Sequence, residues 1–297
     1  MKKNVTMMTL AGMALWTGSA MAQTPYSPNG STMLLYHLNE ISGTTAVDSS
    51  GNNRDAVYEI PKVVLGLPSA SASLGTAISS GPSEGGTRTC WTDTKGADSV
   101  LLPATTTDFT VEAWVKMSGG MIAKTQRIAV VQPVGDTKVD WSFEIIGSGN
   151  QYHAGALSVS DSAVSNRVFK GGGMTWDANT WYHVAFVYDD LGDGTATYSL
   201  YRTAAGDTTA DLVLSTTTDK LVSNSATGNR MFNIANFYGD SGLQLFNGSV
   251  DEVQLSSVAR TAADFSTTLA VPEPAAVGLI SIGLGALMLK WRHRAGR

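Results

Sequence analysis

Period-two alternation of apolar and polar positions recurs along this chain, while the 3.6-residue period of a helix is rare. In Phe109–Met117, Phe109, Val111, Ala113 and Val115 fall on one side, with Thr110, Glu112 and Lys116 opposite. That is the pattern of a strand with one face on a core. Further strands are expected at Met33–Leu38, Arg127–Val134, Asp140–Gly147, Thr180–Asp189, Thr195–Thr203, Met231–Gly239 and Gly248–Ser257. Val57–Ile60, Ser73–Ile78 and Val100–Leu102 carry the same pattern more weakly. Val184–Val187 is apolar on both faces, which suggests a central strand of a layered structure. Asp193-Gly194 sits between two strands at hairpin spacing. Only Val258–Phe265 reads as helical, for about two turns. Short strands at regular spacing without long helices predict an all-β fold of two packed antiparallel sheets.

The ends follow a different pattern. Lys2 and Lys3 precede a mostly apolar run, Val5–Trp16, and Ala20-Met21-Ala22 has the A-x-A form of a signal-peptidase site. The expected division is a signal peptide at 1–22, a lead segment at 23–30, a sandwich at 31–266 and a linker plus tail at 267–297. The tail begins with Val271-Pro272-Glu273-Pro274 and continues as an uncharged run, Ala275–Leu289. It closes with Lys290, Arg292, Arg294 and Arg297. As a helix the run measures ~23 Å at ~1.5 Å per residue, short of a ~30 Å bilayer core. Trp291 and the basic cluster extend it to the cytoplasmic headgroups, which leaves the sandwich outside.

Charge and cysteine content narrow the partners. Taking away residues 1–22 and 275–297 removes six of the 20 basic residues and none of the 25 acidic ones, leaving 14 against 25 and a formal charge of −11. A nucleic acid is repelled by that balance. Cys90 is the single cysteine, so no intrachain disulfide is available to an exported chain.

The tail, in its order of Pro-Glu-Pro turn, apolar run and basic cluster, resembles the PEP-CTERM sorting signal of Gram-negative, biofilm-forming bacteria. The resemblance implies handling by an exosortase, a membrane protease that cuts near Glu273, with transient anchoring in the inner membrane before release to the surface or matrix. A retained anchor and a buried helix are the alternatives, and the four basic residues count against the second. The phrases LLYHLNE, VDSSGNNRDA, FTVEAWVK, WYHVAFVYDD with LYRTAAGD, and FNGSVDEVQLSSVARTAADF are similar, in order, to the LamG-like, concanavalin A-like domains. That resemblance implies an antiparallel jelly-roll sandwich with its terminal strands side by side. Pro61–Asp98 matches none of the phrases, and Ala205-Gly206 replaces the usual Asn-Gly or Asp-Gly turn.

Two sets of site residues are expected. Asp251 opens a strand on an apolar face and needs a partner. Adjacent terminal strands bring Glu40 and the loop of Asp48, Asn52 and Asn53 toward it. The resemblance adds a structural Ca²⁺ held by Asp251, Asp48, Glu40 and Asn53; the alternative is that Asp251 bonds neighbouring turn amides. Trp91, Tyr152, Trp176 and Tyr238 fall in or near expected loops beside Asn, Asp or Gly and are candidate platforms for sugar stacking. Covering the ends of the sandwich is their other reading.

Catalytic patterns are weak. The glycosidase string E-x-D-x-x-E is absent, and neither Glu112 nor Glu144 has a partner at the spacing paired carboxylates need. Gly81–Gly85 matches G-x-S-x-G but is followed by no helical pattern. Asp189–Gly194 fails as an EF-hand because Leu191 and Leu200 occupy ligand positions. His37 and His183 read as structural. The expected function is therefore a non-catalytic, carbohydrate-binding surface or matrix protein. An adhesive protein without a sugar site is the alternative, and a glycoside hydrolase the third reading.

Overall fold

A computed structural model of the chain describes residues 21–58, 63–80, 90–94, 108–118, 125–133, 139–147, 155–160, 167–169, 176–221, 230–235, 246–269 and 271–272. Residues Ala22–Val271 form one compact unit; Met1–Met21 with Pro272–Arg297 form another. The strands begin with β1 (Met21–Ala22), β2 (Thr32–Tyr36), β3 (Thr45–Ala46), β4 (Ala56–Tyr58), β5 (Val63–Pro68) and β6 (Thr76–Ser80). They continue with β7 (Cys90–Thr94), β8 (Asp108–Met117), β9 (Thr125–Pro133), β10 (Trp141–Gly147), β11 (Gly155–Ser160) and β12 (Arg167–Phe169). The last are β13 (Trp181–Asp190), β14 (Thr195–Ala204), β15 (Leu212–Asp219), β16 (Arg230–Ile234), β17 (Gly248–Ser256) and β18 (Val271–Pro272), with helix α1 (Ala262–Leu269) before β18.

The strands build two antiparallel sheets. Sheet A runs β12-β11-β10-β9-β16-β7-β4-β3 and sheet B runs β15-β14-β13-β8-β17-β6-β5. In sheet B, β2 shares one edge of β17 with β6, Tyr36 opposite Val253 and Ile78 opposite Val250. The N-terminal strand thus lies beside the last long strand, as expected.

The core between the sheets follows the alternation. Phe109, Val111, Ala113 and Val115 of β8 join Val184, Phe186 and Tyr188 of β13 against Trp141 and Phe143 of β10 and Phe232 and Ile234 of β16. Phe109 stacks on Trp141 at 4.9 Å and on Tyr188 at 5.1 Å, tying one sheet to the other. Such aromatic pairs add ~0.5–1.5 kcal/mol each beyond their buried area. β13 is central, between β8 and β14, and every residue from Trp181 to Tyr188 is buried. The Asp193-Gly194 turn is the expected hairpin: Gly194 takes φ +96°, and the Asp193 carboxylate accepts from Thr195 N at 2.9 Å.

Several expectations shift. The short helix starts at Ala262 rather than Val258, because Thr261 caps it: Asp264 reaches back to accept from Thr261 N at 2.6 Å and its hydroxyl at 2.8 Å. Ser73 belongs to a 3-10 turn, Ala72–Leu74, and the strand begins at Thr76. Strands β5, β7, β11, β12 and β15 arise where the pattern predicted none. The lead segment is not a free leader, since Gln23 and Tyr26 are buried. Val100–Leu102, Gly81–Gly85, Ala20, Glu273, Pro274 and the apolar run 275–289 lie outside the described residues. Ala22, Val271 and Pro272 are described as strand backbone. No helix of the described residues is long and apolar enough to cross a membrane.

Candidate functional site

The polar alternates of sheet B do not face water. Across the sheet, Asp251, Trp114, His183 and Thr203 stand side by side in register, and Gln254, Glu112, Ala185 and Tyr201 form the next row. All of these are buried. The roof is built from the chain ends: Tyr26 meets the His183 ring edge-on at 6.2 Å, and Phe265 of α1 lies 5.5 Å from His183 and 5.1 Å from Tyr201. A second, smaller hydrophobic cluster results, with Leu35, Leu74, Trp114, Trp181 and Ala185 around that row.

Charges inside this layer are paired. Glu112 bonds Arg260 through one oxygen and meets His183 Nε2 at 3.1 Å through the other. Burial pushes the His183 imidazole down to about 3. His183 is thus a neutral ring whose Nε2–H donates to Glu112. One strand further, β17 bulges between Asp251 and Gln254, and Glu252 takes φ +48°. Its carboxylate accepts from Tyr26 N at 2.8 Å and pairs with His37 Nδ1 at 2.8 Å. That bond raises the His37 pKa, against burial. The strained, extra residue of the bulge is therefore the one that pins the N-terminal segment to the sheet.

Asp251 is the exception. One oxygen accepts from Ser69 Oγ; the other, Oδ1, is buried without a partner among the described residues. Burial drives its pKa up to about 9, and the neighbouring Glu252 adds to the rise. It is a neutral carboxylic acid at pH 7.

The expected calcium set does not assemble around it. Asp48 accepts from Leu35 N at 3.1 Å, Ser50 N at 3.0 Å, Arg54 N at 3.0 Å and Ser50 Oγ at 2.8 Å, so both its oxygens are filled by the turn it organises. Glu40 accepts from Val47 N at 2.9 Å and the Tyr58 hydroxyl at 2.6 Å. Asn53 is exposed in a left-handed turn conformation, φ +56°. Asn52 donates to the Thr32 and Met33 carbonyls. Ca²⁺ needs six to eight free oxygens, and here one carboxylate oxygen is free. The residues do not fit the ion, and the described residues hold no group of three metal-ligating side chains.

Of the expected sugar platforms, Trp176 is 1% exposed. Its ring meets Tyr182 in a T-shaped contact at 5.0 Å and carries the Arg202 guanidinium at 5.1 Å, and it belongs to the core between the sheets. Trp91 belongs to β7 rather than a loop, opposite Asn233 on one side and Val57 on the other. Tyr152 and Tyr238 lie outside the described residues.

The face of sheet A turned away from the core carries a polar row that the sequence reading missed. Asn233 Nδ2 donates to Gln132 Oε1 at 3.0 Å, and Ser142 donates to Glu144 at 3.2 Å with Arg127 at 3.5 Å. Asn233 Oδ1 is buried and without a partner among the described residues. The clue was present in Met231–Ile234, where Phe232 and Ile234 take the core side and leave Asn233 on the other.

Residues 92–266 match the family model of the concanavalin A-like lectin/glucanases superfamily, laminin G type. The chain belongs to that superfamily. No curated protein matches it in sequence. Among solved structures it is similar to a Trypanosoma rangeli sialidase in complex with 2,3-difluoro-KDN, at 14% identity and TM-score 0.50, over 84% of this chain and 36% of the sialidase. It is also similar to a mutant of HCR D/C VPI 5995, at 14% identity and TM-score 0.50, over 80% of this chain and 51% of that one. The botulinum neurotoxin serotype D binding domain aligns at 14% identity and TM-score 0.49, over 80% and 50%. The chain spans between about a third and a half of these proteins, and at such identity the likeness is one of fold.

Proposed function

We propose that this is an exported protein of the cell surface or extracellular matrix whose concanavalin A-like sandwich binds carbohydrate without catalysing its cleavage. Membership of the superfamily supports carbohydrate as ligand. One observation carries the non-catalytic half: the glutamates of the described strands are buried and already committed. Glu112 is spent on Arg260 and His183, Glu252 on His37 and Tyr26 N, Glu144 on Arg127 and Ser142. Glycoside hydrolysis needs two carboxyl groups facing the sugar, one poised to donate a proton. Asp251 has the raised pKa of such an acid, yet it is sealed below the roof of sheet B.

Sugar recognition sets an aromatic face beside polar groups, and Trp91, on β7 of sheet A, is the candidate platform to test. The decisive experiment is a glycan array on residues 22–271, with Trp91→Ala beside it. Binding at micromolar to millimolar strength, about −4 to −8 kcal/mol, that falls with Trp91→Ala supports the reading. Silence from a demonstrably folded protein refutes it in favour of an adhesive role.

The two ends support export and sorting. An A-x-A site at Ala20–Ala22 precedes the sandwich, and the Pro-Glu-Pro, apolar and basic segments follow it. Glu273→Ala, or removal of Lys290 to Arg297, keeps the tail uncut and the protein in the membrane fraction. Mass spectrometry of the secreted C-terminus checks this, and an intact tail there rejects the exosortase.

A further inference from the structure

The two free edges of sheet B are built in opposite ways. β5 is a protected edge: its register with β6 shifts between Val64 and Leu67, Gly66 takes φ +73°, and Pro68 ends it. Bulges and prolines of this kind stop a sheet from recruiting another strand. β15 has none of them past its own bulge at Val213. Ser215-Thr216-Thr217-Thr218 is uncharged and free of Gly and Pro, and no described strand pairs with its outer edge. Leu212 at its start is 55% exposed.

The direction of its free groups follows from its pairing. Lys220 N donates to Gly194 O, so 220, 218, 216 and 214 bond inward to β14. Ser215 and Thr217 then turn their N–H and C=O groups outward, while the Asp219 carbonyl accepts from the Tyr198 hydroxyl at 2.6 Å. Their side chains already line up with β14, Thr197 to Thr217 and Ser199 to Ser215, each hydroxyl pair 3.1 Å apart.

We infer that β15 is a self-association edge, joining sheet B to that of a second copy by antiparallel pairing about a two-fold axis at Thr216. In that register Ser215 exchanges both backbone bonds with Thr217 of the other copy, and the hydroxyl ladder runs on across the seam. Leu214 meets Thr218, so no charge opposes its like within the paired segment. The strand's two ends are complementary: Asp211 precedes it and Lys220 follows it, and the antiparallel arrangement sets each beside the other on the opposite copy. This fit of a strand to its own reverse selects a second copy as the occupant, and a two-fold seam closes after two chains. The inference stands independently of the carbohydrate reading.

Analytical ultracentrifugation of residues 22–271, the unit that contains the whole core, tests it first. A concentration-dependent dimer is expected. Thr217→Lys places like charges across the seam and raises the dimer dissociation constant at least about tenfold, while leaving the melting temperature of the monomer unchanged. Thr217→Pro removes an outward N–H and acts in the same direction. In a Cys90→Ser background, Thr216→Cys places two thiols at the two-fold, within the ~4.4–6.8 Å Cα separation a disulfide spans. It cross-links on oxidation, whereas Thr218→Cys, opposite Leu214, does not. A monomer at all concentrations, or equal cross-linking of both cysteine variants, overturns the inference.

Discussion

The two hydrophobic layers of this molecule were assembled by different rules. Between the sheets, the core is made of the apolar alternates of β8, β13, β10 and β16, stacked ring on ring, and it includes almost no charge. On the outer face of sheet B, the second layer is made of the polar alternates, closed by Tyr26 from one end of the chain and Phe265 from the other. Burial there is possible only because Glu112, Arg260, His183, Glu252 and His37 satisfy one another. The first layer rests on area and packing density. The second rests on pairing, and pairing fails all at once when one member is removed.

The largest effect that separates them comes from Glu112→Ala. It leaves the Arg260 guanidinium without its carboxylate, and breaking a buried pair in this way costs about 3–5 kcal/mol. Replacing the two residues together, Glu112→Leu with Arg260→Met, restores most of that loss, because apolar groups of similar volume need no partner. Urea denaturation of the three proteins reads both numbers. If the double variant is as unstable as the single one, pairing is not what holds the outer layer.

Trp176→Ala probes the first layer, and the place where sequence and structure diverged. Removing a fully buried indole costs about 3–5 kcal/mol, and any glycan binding of the folded fraction stays unchanged. Thermal melts run beside the array separate the two. Loss of glycan affinity at unchanged stability contradicts the buried position of the ring.

Most of the fold was legible because burial between two sheets imposes period two. Phe109 to Val115 announced their side correctly, and Asp193-Gly194 announced its hairpin. The same logic mistook Glu112 and Thr110 for solvent-facing residues, since alternation tells which side a residue takes and nothing about what covers that side. The cover was supplied by residues about 70 to 150 positions away, Tyr26 and Arg260 among them, and no local pattern encodes such distances. Trp176 was expected in or near a loop, yet its ring packs against Tyr182 inside the core. Asp48 and Glu40 were correctly placed near the terminal strands. Their chemistry was misjudged because backbone N–H donors, invisible in a sequence, had already filled their oxygens.

A smaller effect, the pH profile, sharpens the contrast because two strongly shifted groups, His183 and Asp251, lie in the outer layer. His183 is held neutral down to about 3, so unfolding takes up a proton below its ordinary value of 6.5, and stability falls as pH drops from there. Asp251 keeps its proton up to about 9, so unfolding releases one above 3.8, and stability falls as pH rises from there. Between ~3.8 and 6.5 the two slopes cancel. Above 6.5 stability declines at up to about 1.4 kcal/mol per pH unit, reinforced as His37 loses its proton from Glu252. Below 3.8 it declines again. Denaturation midpoints from pH 3 to 9 should trace a plateau with two flanks. Asp251→Asn should reduce the alkaline flank to the part that His37 contributes and, with nothing left to cancel the His183 slope, extend the acid flank up to about 6.5.

The smallest expected effect is none at all, and it concerns the ion that the terminal strands seemed built to hold. Calcium demands oxygens that are free to turn toward it. For Asp48 to comply, it has to release Leu35 N, Ser50 N and Arg54 N, each of which then loses its hydrogen bond at a cost of about 1–3 kcal/mol where it is buried. Glu40 has to release Val47 N and Tyr58. One free oxygen on Asp251 does not offset those losses. Removing divalent ions with EDTA should therefore move the melting temperature of residues 22–271 by less than about 1 °C, where 1 kcal/mol corresponds to about 2–4 °C for a domain of this size. Asp48→Ala should lower it by the same amount with and without calcium, because the turn is what it breaks. A calcium-dependent rise that vanishes with Asp251→Asn would show that the ion rebuilds the Asp48 turn on binding.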